Sequence, residues 1–507
     1  MNDPVNVPKA KELLGTQLSR RNMLRAMGIG GAALASGPLL AACGSDSGTA
    51  AASSSSTSTS AASSANLTAA ATSTAGASIS GGKSFDWMQA KGKTLRMLRT
   101  PHPYVSAFDS AGLFKDFTAK TGINIAFDDI PEGDYFTKLT SELSGSSSTY
   151  DVFMTGAYFI WQYGPPGWME DLQPYLADSS KTSPEYNFED IFEGLRTSTR
   201  WDFQKGSALG SGGQWAIPWG FETNVVAYNK EIFDKKGIKP ATTFDNFIQL
   251  ANDLTDKSAG TYGVAFRGSK SWATIHPGYM TQFTREGGKD YSFADGNYTA
   301  TMNSDKAVAF TKKWADLAKS AGPSGWTTYE YPNCTQDLAD GKAMMVYDAD
   351  SATYPKFKGT KVAGKLGWDA GPAGPDGSYA TNLWTWSLAM NKAAKDDNKL
   401  AAWLFIQWAT SSEVLSKAAS SGSFADPVRK TVFDGAFKKT IGNSYPGYLE
   451  TFEKVIGATK IQFTPQTQFF DTTEAWAGAL QEIYGGTDAK TRLDALAKAN
   501  SDALNNS

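Results

Sequence analysis

Residues 85–507 predict an α/β fold with more than one lobe. Three observations carry this. Strand-like and helix-like segments alternate from Thr94 onward at a spacing that suits parallel pairing. The strand-like run at 150–155 is apolar without alternation, as in a sheet covered on both faces. Breaks rich in Gly and Pro recur around Trp219, at 371–377 and at 421–427, where a chain crossing between lobes is expected.

Residues 94–100 read as a short strand. A helix at 111–120 stops at Thr121-Gly122, because glycine adopts the left-handed C-cap conformation without a Cβ penalty. A second strand at 124–128, a helix at 134–143 and the strand at 150–155 complete this run. Ligands of such sheets gather beyond the carboxyl ends of the strands, which marks the loops 101–104, 129–133 and 156–161.

Residues 215–230 hold the Pro218-Trp219-Gly220 break between strand-like residues, the first expected crossing. A second α/β set follows: a helix at 244–255, a strand at 262–266 and a loop at 267–276. The helix at 304–320 places Ala307, Phe310, Trp314 and Leu317 on one face. A strand at 343–347 runs into Asp348. Residues 371–377 form the second crossing, 383–390 a returning strand and 400–410 an apolar helix. After the third break at 421–427 the chain reads as mainly helical, ending in a helix at 488–504. No internal repeat is present.

Ahead of this part, Ser19-Arg20-Arg21-Asn22-Met23-Leu24-Arg25 precedes a weakly apolar stretch that ends at Leu40. A twin arginine before a short apolar stretch has the form of an export signal for folded proteins. Leu40-Ala41-Ala42-Cys43 resembles a bacterial lipobox, which implies cleavage before Cys43 and a lipid on its sulfur. Residues 44–82 are Ser, Thr, Ala and Gly apart from Asp46, Asn66, Leu67 and Ile79. Such a segment has too little apolar surface to offset ordering entropy and is expected to be a disordered tether. Its r.m.s. reach is on the order of 35 Å. The expected location is the outer face of the cytoplasmic membrane, with the chain held there by lipid.

No later stretch is apolar over the length a membrane span needs. The net charge of −3 gives no reason to expect nucleic acid as a partner. With Cys43 lipidated, the only other cysteine, Cys334, has no partner for a disulfide and is expected to be a small buried residue.

The chain holds 15 Trp, 20 Tyr and 28 Phe, many beside Gly or Pro rather than in periodic runs. Tyr163-Gly-Pro-Pro-Gly-Trp168 and Trp215-Ala-Ile-Pro-Trp219-Gly-Phe221 are examples. Aromatic residues at turns are either satellite core or the walls of a cleft for carbohydrate. A sugar or polyol stacks its C–H patches on ring faces and needs partners for its hydroxyls.

Five stretches occur in an order that resembles the family 1 extracellular solute-binding proteins of ABC importers. They are Asp129-Ile-Pro-Glu-Gly-Asp-Tyr-Phe-Thr-Lys-Leu139, Tyr150-Asp-Val-Phe-Met-Thr155, Ile217-Pro-Trp-Gly-Phe-Glu-Thr-Asn224 with Tyr228-Asn-Lys230, Gly341-Lys-Ala-Met-Met345, and Ser387-Leu-Ala-Met-Asn391. Asp151-Val-Phe-Met-Thr-Gly-Ala-Tyr158 and Ser271-Trp-Ala-Thr-Ile-His-Pro-Gly278 are similar to members that bind sugar alcohols or small sugars. The resemblance runs from about Leu95 to Tyr484.

It implies a two-lobed type II periplasmic-binding-protein fold with a hinge between the lobes. The division would be a signal at 1–43, a tether at 44–84, lobe one at 85–219 plus 373–422, and lobe two at 220–372 plus 423–507. The implied function is capture of a small sugar, sugar alcohol or short oligosaccharide by hinge closure, then delivery to a membrane permease. No cofactor and no metal is expected.

The candidate ligand-binding residues follow from these positions. Tyr158 and Trp161 follow the third strand, and Trp219 and Glu222 lie at the first crossing. Arg267 and Trp272 follow a strand of the second lobe, where the family places an aromatic platform. An arginine fork suits vicinal hydroxyls. Asp348 ends another strand and could accept from two hydroxyls. Trp384 is preferred over Trp386 on the returning strand, because both share a face and a bend would be needed to separate a core ring from a cleft ring. His102 in the first loop and Phe424 at the third crossing are further candidates.

The competing class is an exported carbohydrate-active hydrolase, which needs two carboxylates at a set separation, and Glu222 with Asp348 would supply a pair. His102 and His276 form no H-E-x-x-H metal motif, and neither a G-x-S-x-G elbow nor a phosphate-binding G-x-x-x-x-G-K-[ST] loop occurs. An ATPase would have to be another chain.

Overall fold

The structure, a computed structural model, describes residues 84–349, 359–421, 426–442 and 445–506. The export signal, the tether, Cys43 and Phe424 lie outside the described residues.

Twelve strands occur among the described residues: β1 Thr94–Arg99, β2 Asn124–Asp129, β3 Val152–Gly156, β4 Arg200–Trp201, β5 Gly213–Gln214, β6 Ile217–Asn229, β7 Tyr262–Ala265, β8 Tyr291–Ala294, β9 Asn297–Ala300, β10 Ala343–Ala349, β11 Leu366–Asp369 and β12 Leu383–Met390. The main sheet runs β2-β1-β3-β12-β6-β10-β7, with β11 also pairing with β6. β4 with β5 and β8 with β9 form two small antiparallel pairs.

The parallel pairing that the sequence predicts holds at both ends of the sheet. β1 lies parallel to β2 and β3, and β7 lies parallel to β10. The centre is antiparallel, because β6 and β12 enter from the other half of the molecule. β6 pairs with β12 from Ile217 to Thr223 and with β10 from Asn224 to Tyr228. One strand of 13 buried residues thus belongs to both halves of the sheet.

The expected break at Pro218-Trp219-Gly220 is therefore a bulge inside a continuous strand. Trp386 faces Gly220 and Ser387 faces Pro218, so Trp219 is the extra residue. Proline has no N–H for the ladder, so a bulge at this point costs little pairing.

The helix expected at 111–120 is Leu113–Thr121, closed by Gly122 at φ 67°. An unexpected helix, Pro103–Ser110, precedes it and starts within the first marked loop. Pro103 begins it and the His102 side chain caps it, so a start signal for a helix stands where a loop is expected. The helix predicted at 304–320 is Asp305–Ala321, and Ala307, Phe310, Trp314 and Leu317 are all buried. The last predicted helix is Ala489–Asn505, capped by the Asp488 side chain on the Thr491 amide.

The core runs along both faces of the sheet and is rich in aromatic rings. Phe108 meets Trp219 edge to face, with ring centroids 4.9 Å apart. Cys334 is fully buried and carries a free thiol, which burial pushes well above its usual pKa. Behind the third break, Arg429 is buried and donates to the Thr410 carbonyl at 2.6 Å and the Asn187 carbonyl at 2.7 Å. Among the described residues no helix is long and apolar enough to cross a membrane.

Candidate functional site

A cavity of about 540 Å3 opens where the carboxyl ends of β1, β2 and β7 converge. Four groups of residues line it. Pro101, His102 and Pro103 follow β1, and Glu132, Gly133 and Phe136 begin the helix Glu132–Ser144 after β2. Glu222, Trp384 and Trp386 come from β6 and β12. Arg267, Trp272 and His276 follow β7, and Tyr331 begins the helix Tyr331–Ala339. Two of the three loops marked from the sequence thus reach the cavity.

Glu222 and Trp384 are register partners in the β6–β12 pair, so their side chains leave the sheet on one face. Trp386, two residues on, shares that face and also lines the cavity. The two rings meet edge to face, with centroids 5.4 Å apart at 80°. No bend is needed, since both are cavity residues and neither is pure core. The outer end of the Trp384 indole lies against Gly156, where an added Cβ would fall 2.1 Å from the ring.

On the facing wall, Trp272 opens a short helix, Trp272–Ile275, capped by Ser271. Its ring lies 5.4 Å from that of Trp384, at 33°. Trp272 is half-buried, whereas Trp384 is nearly covered. The two indoles therefore form an apolar corner in which Trp272 offers the freer face.

Arg267 is fixed from three sides. Nε and Nη2 donate to the two oxygens of Asp348 at 2.9 and 2.7 Å, and Nη1 donates to the Ala273 carbonyl at 3.4 Å. The Tyr331 ring lies 5.2 Å from the guanidinium carbon. Burial disfavours the guanidinium charge, but the Asp348 carboxylate outweighs it and the pKa rises. Three of the five N–H groups are engaged, so two remain for the cavity.

His102 accepts the Tyr104 amide on Nδ1 at 3.4 Å as the helix cap. Its Nε2 then carries the proton and faces Glu222 Oε1 at 3.4 Å. His276 is buried, and burial together with nearby Arg267 holds its pKa well below the usual range, so the imidazole is neutral.

His102, Glu222, Arg267, Trp272 and Trp384, all named from the sequence, line this one cavity. Asp348 does not line it. The residue is fully buried, and both carboxylate oxygens are committed to Arg267. The Glu222–Asp348 pair considered for a hydrolase is therefore unavailable, since Asp348 has no access to a ligand. Tyr158 and Trp161 also lie outside the lining. The helix Ala157–Tyr163 turns both toward Phe469, with ring centroids 4.3 and 5.2 Å away. Trp219, the bulge residue, packs on Phe108 in the core.

Most of the other lining residues were not candidates from the sequence, and four of these carry aromatic rings: Phe136, Trp386, His276 and Tyr331. Phe136 is one helical turn from Glu132, in a loop already marked, so its i+4 spacing was the signal. Trp386 was readable from strand alternation with Trp384. His276 sits in the quoted 271–278 stretch. Tyr331 had no signal, since its place depends on packing over Arg267. Among the described residues no group of three or more His, Cys, Asp or Glu could hold a metal ion.

Residues 107–415 match the family of bacterial extracellular solute-binding proteins. A curated relative, the erythritol/L-threitol-binding protein of Mycolicibacterium smegmatis, is 59% identical over 495 residues, covering 97% of this chain and 98% of its own. Among solved structures, an ABC transporter solute-binding protein of Agrobacterium radiobacter K84 in complex with ribitol aligns at a TM-score of 0.69. It is 21% identical and covers 82% of this chain and 99% of its own. A solute-binding protein of Agrobacterium vitis S4 with bound D-mannitol aligns at 0.67, with 22% identity and coverage of 82% and 98%. The fold is the two-lobed solute-binding fold, with β6 and β12 joining its halves, and the chain belongs to the bacterial extracellular solute-binding proteins.

Proposed function

We propose that the chain is the binding component of an ABC importer and captures a small acyclic polyol, in the first place a four-carbon alditol such as erythritol or L-threitol. The observation that carries this is the 59% identity, over 97% of the chain, to an erythritol/L-threitol-binding protein. The cavity chemistry supports it. Trp272 and Trp384 offer ring faces to C–H groups, the two remaining N–H groups of Arg267 suit neighbouring hydroxyls, and Glu222 accepts from a further one. A neutral ligand also fits a wall in which Arg267 is already balanced by Asp348.

In this reading Trp272, Arg267 and His276 on one side and His102, Glu222, Trp384 and Trp386 on the other touch the ligand. Tyr158, Trp161, Trp219 and Asp348 support them from behind. Lobe one comprises 85–219 with 373–422 and lobe two 220–372 with 423–507. Ligand bridging both walls favours the closed state, which the permease receives. The protein binds and releases its ligand without chemical change. Its family is extracellular, and we assign residues 1–43 to the export signal, Cys43 to lipid attachment and 44–84 to the tether.

A thermal-shift panel followed by calorimetric titration tests the ligand class. Erythritol and L-threitol are expected to raise the unfolding midpoint, since a ligand at 100 times its Kd adds about 2.7 kcal/mol. Ribitol, D-mannitol, maltose and amino acids complete the panel. A shift with amino acids alone would replace the ligand class, and release of reducing ends from an oligosaccharide would replace binding by hydrolysis.

A further inference from the structure

Asn382 stands directly before β12 and is fully buried. Its Nδ2 donates to the Tyr158 hydroxyl at 2.9 Å and to the His276 carbonyl at 2.6 Å. Its Oδ1 accepts from the Gln462 amide at 2.9 Å. The backbone adds two more bonds. The Asn382 N–H donates to Thr281 Oγ1 at 3.1 Å, and the Asn382 carbonyl accepts from Asn224 Nδ2 at 2.9 Å. One residue thus ties five segments.

Those segments belong to both sides of the cavity. Tyr158 follows β3, and His276 and Thr281 follow β7. Asn224 is the residue of β6 at which pairing passes from β12 to β10. Two cavity residues depend on the knot. His276 is held by its own carbonyl, and Trp384 is two residues along the strand from Asn382. Tyr158 reinforces both. Its hydroxyl donates to the Leu383 carbonyl at 3.2 Å and lies 3.4 Å from His276 Nδ1. Both amide protons of Asn382 are used, so this polar cluster has one arrangement rather than several.

We propose that Asn382 and Tyr158 are positioning residues for the ligand: they set affinity through His276 and Trp384, on opposite walls of the cavity, without touching the ligand. The inference rests on the polyol reading of the cavity. It also gives Tyr158 a function other than the direct contact expected from its place after the third strand.

The test is calorimetric titration of the whole protein with erythritol and L-threitol, alongside thermal unfolding without ligand. The variants are Tyr158→Phe, Asn382→Leu and their double. Tyr186→Phe is the control, because its hydroxyl is likewise buried and bonded, to Thr410 at 2.7 Å. Tyr158→Phe is expected to weaken binding about three- to tenfold, the worth of one hydrogen bond. Asn382→Leu should weaken it further, and the double variant should bind no worse than Asn382→Leu alone, because both act through one knot. Tyr186→Phe should lower the unfolding midpoint and leave affinity unchanged.

Tyr158→Phe binding within about twofold of wild type, with the stability loss of Tyr186→Phe, overturns the inference. If Asn382→Leu does not fold, Tyr158→Phe against Tyr186→Phe decides alone. Wild type that binds neither alditol sinks the polyol reading and this inference with it. Wild type that binds, with Tyr158→Phe unaltered, sinks this inference only.

Discussion

Arg267 meets Asp348 through two parallel bonds of 2.9 and 2.7 Å, and the carboxylate is shut off from solvent and from the cavity alike. The pair holds an arginine at the cavity wall that would otherwise swing on a flexible stem. Asp348→Asn is expected to lower stability by about 3 kcal/mol or more, because an unpaired charge remains buried. Ligand affinity should fall as well, although Asp348 touches no ligand. Arg267→Lys should lose affinity with less loss of stability, since a lysine keeps the charge and loses the fork. Denaturant unfolding and calorimetric titration of both variants separate the two effects. An Asp348→Asn protein with wild-type affinity would remove Arg267 from the site.

Trp272 supplies the freer of the two facing indoles. Trp272→Ala is expected to weaken ligand binding by about 1–3 kcal/mol through loss of the ring face and of the hydroxyl placement it enforces. Trp272→Phe should recover part of that loss, because a smaller ring still presents a face. Titration calorimetry checks both. Unchanged affinity in Trp272→Ala would make the residue a packing element under Phe470, whose ring centroid lies 5.3 Å away.

Gly156 ends β3 beneath the Trp384 ring. Its backbone, at φ −110°, is open to any residue, so only space is at issue. A Cβ there would fall 2.1 Å from the indole, and three ring atoms lie within 3 Å of it. Gly156→Ala is therefore expected to push Trp384 into the cavity and weaken binding at least as strongly as Trp384→Ala, while the sheet persists. Calorimetric titration with tryptophan fluorescence reads both outcomes. A Gly156→Ala protein with wild-type affinity would show that the Trp384 ring does not border the ligand.

The strands and the loops beyond them were legible, because apolar runs and Gly/Pro punctuation are local signals. β12 matches its predicted bounds of 383–390 residue for residue, and the loops after β1, β2 and β7 all reach the cavity. Which way a side chain turns was less legible. Tyr158 and Trp161 were placed correctly on the chain, but Phe469, from a distant helix, packs against both rings, and Tyr158 stands behind the cavity residues Trp272 and Trp384 rather than in the lining. Asp348 was placed correctly at its strand end, but Arg267, 81 positions away, occupies both its oxygens. The bulge at Trp219 was invisible for the same reason, since a register shift is a property of two strands. Proline marked the place, and the partner strand decided its form.

Burial and the nearby Arg267 hold the His276 imidazole neutral in the native state. In the unfolded chain the same group takes up a proton near its ordinary pKa of about 6.5. Below that pH the unfolded state binds more protons than the native one, so stability falls as pH drops through about 6.5. Other buried groups act with the opposite sign. Asp290 and Asp369 have carboxyls that burial pushes up, so they keep protons in the native state and favour folding as the pH falls toward their range. Comparison with His276→Gln removes these common contributions. In ligand-free protein, lowering the pH from 7 to 5 should cost the wild type more stability than it costs His276→Gln, as read by denaturant unfolding at each pH. Equal losses in the two proteins would mean that His276 takes up its proton in the native state and does not meet the ligand as a neutral ring.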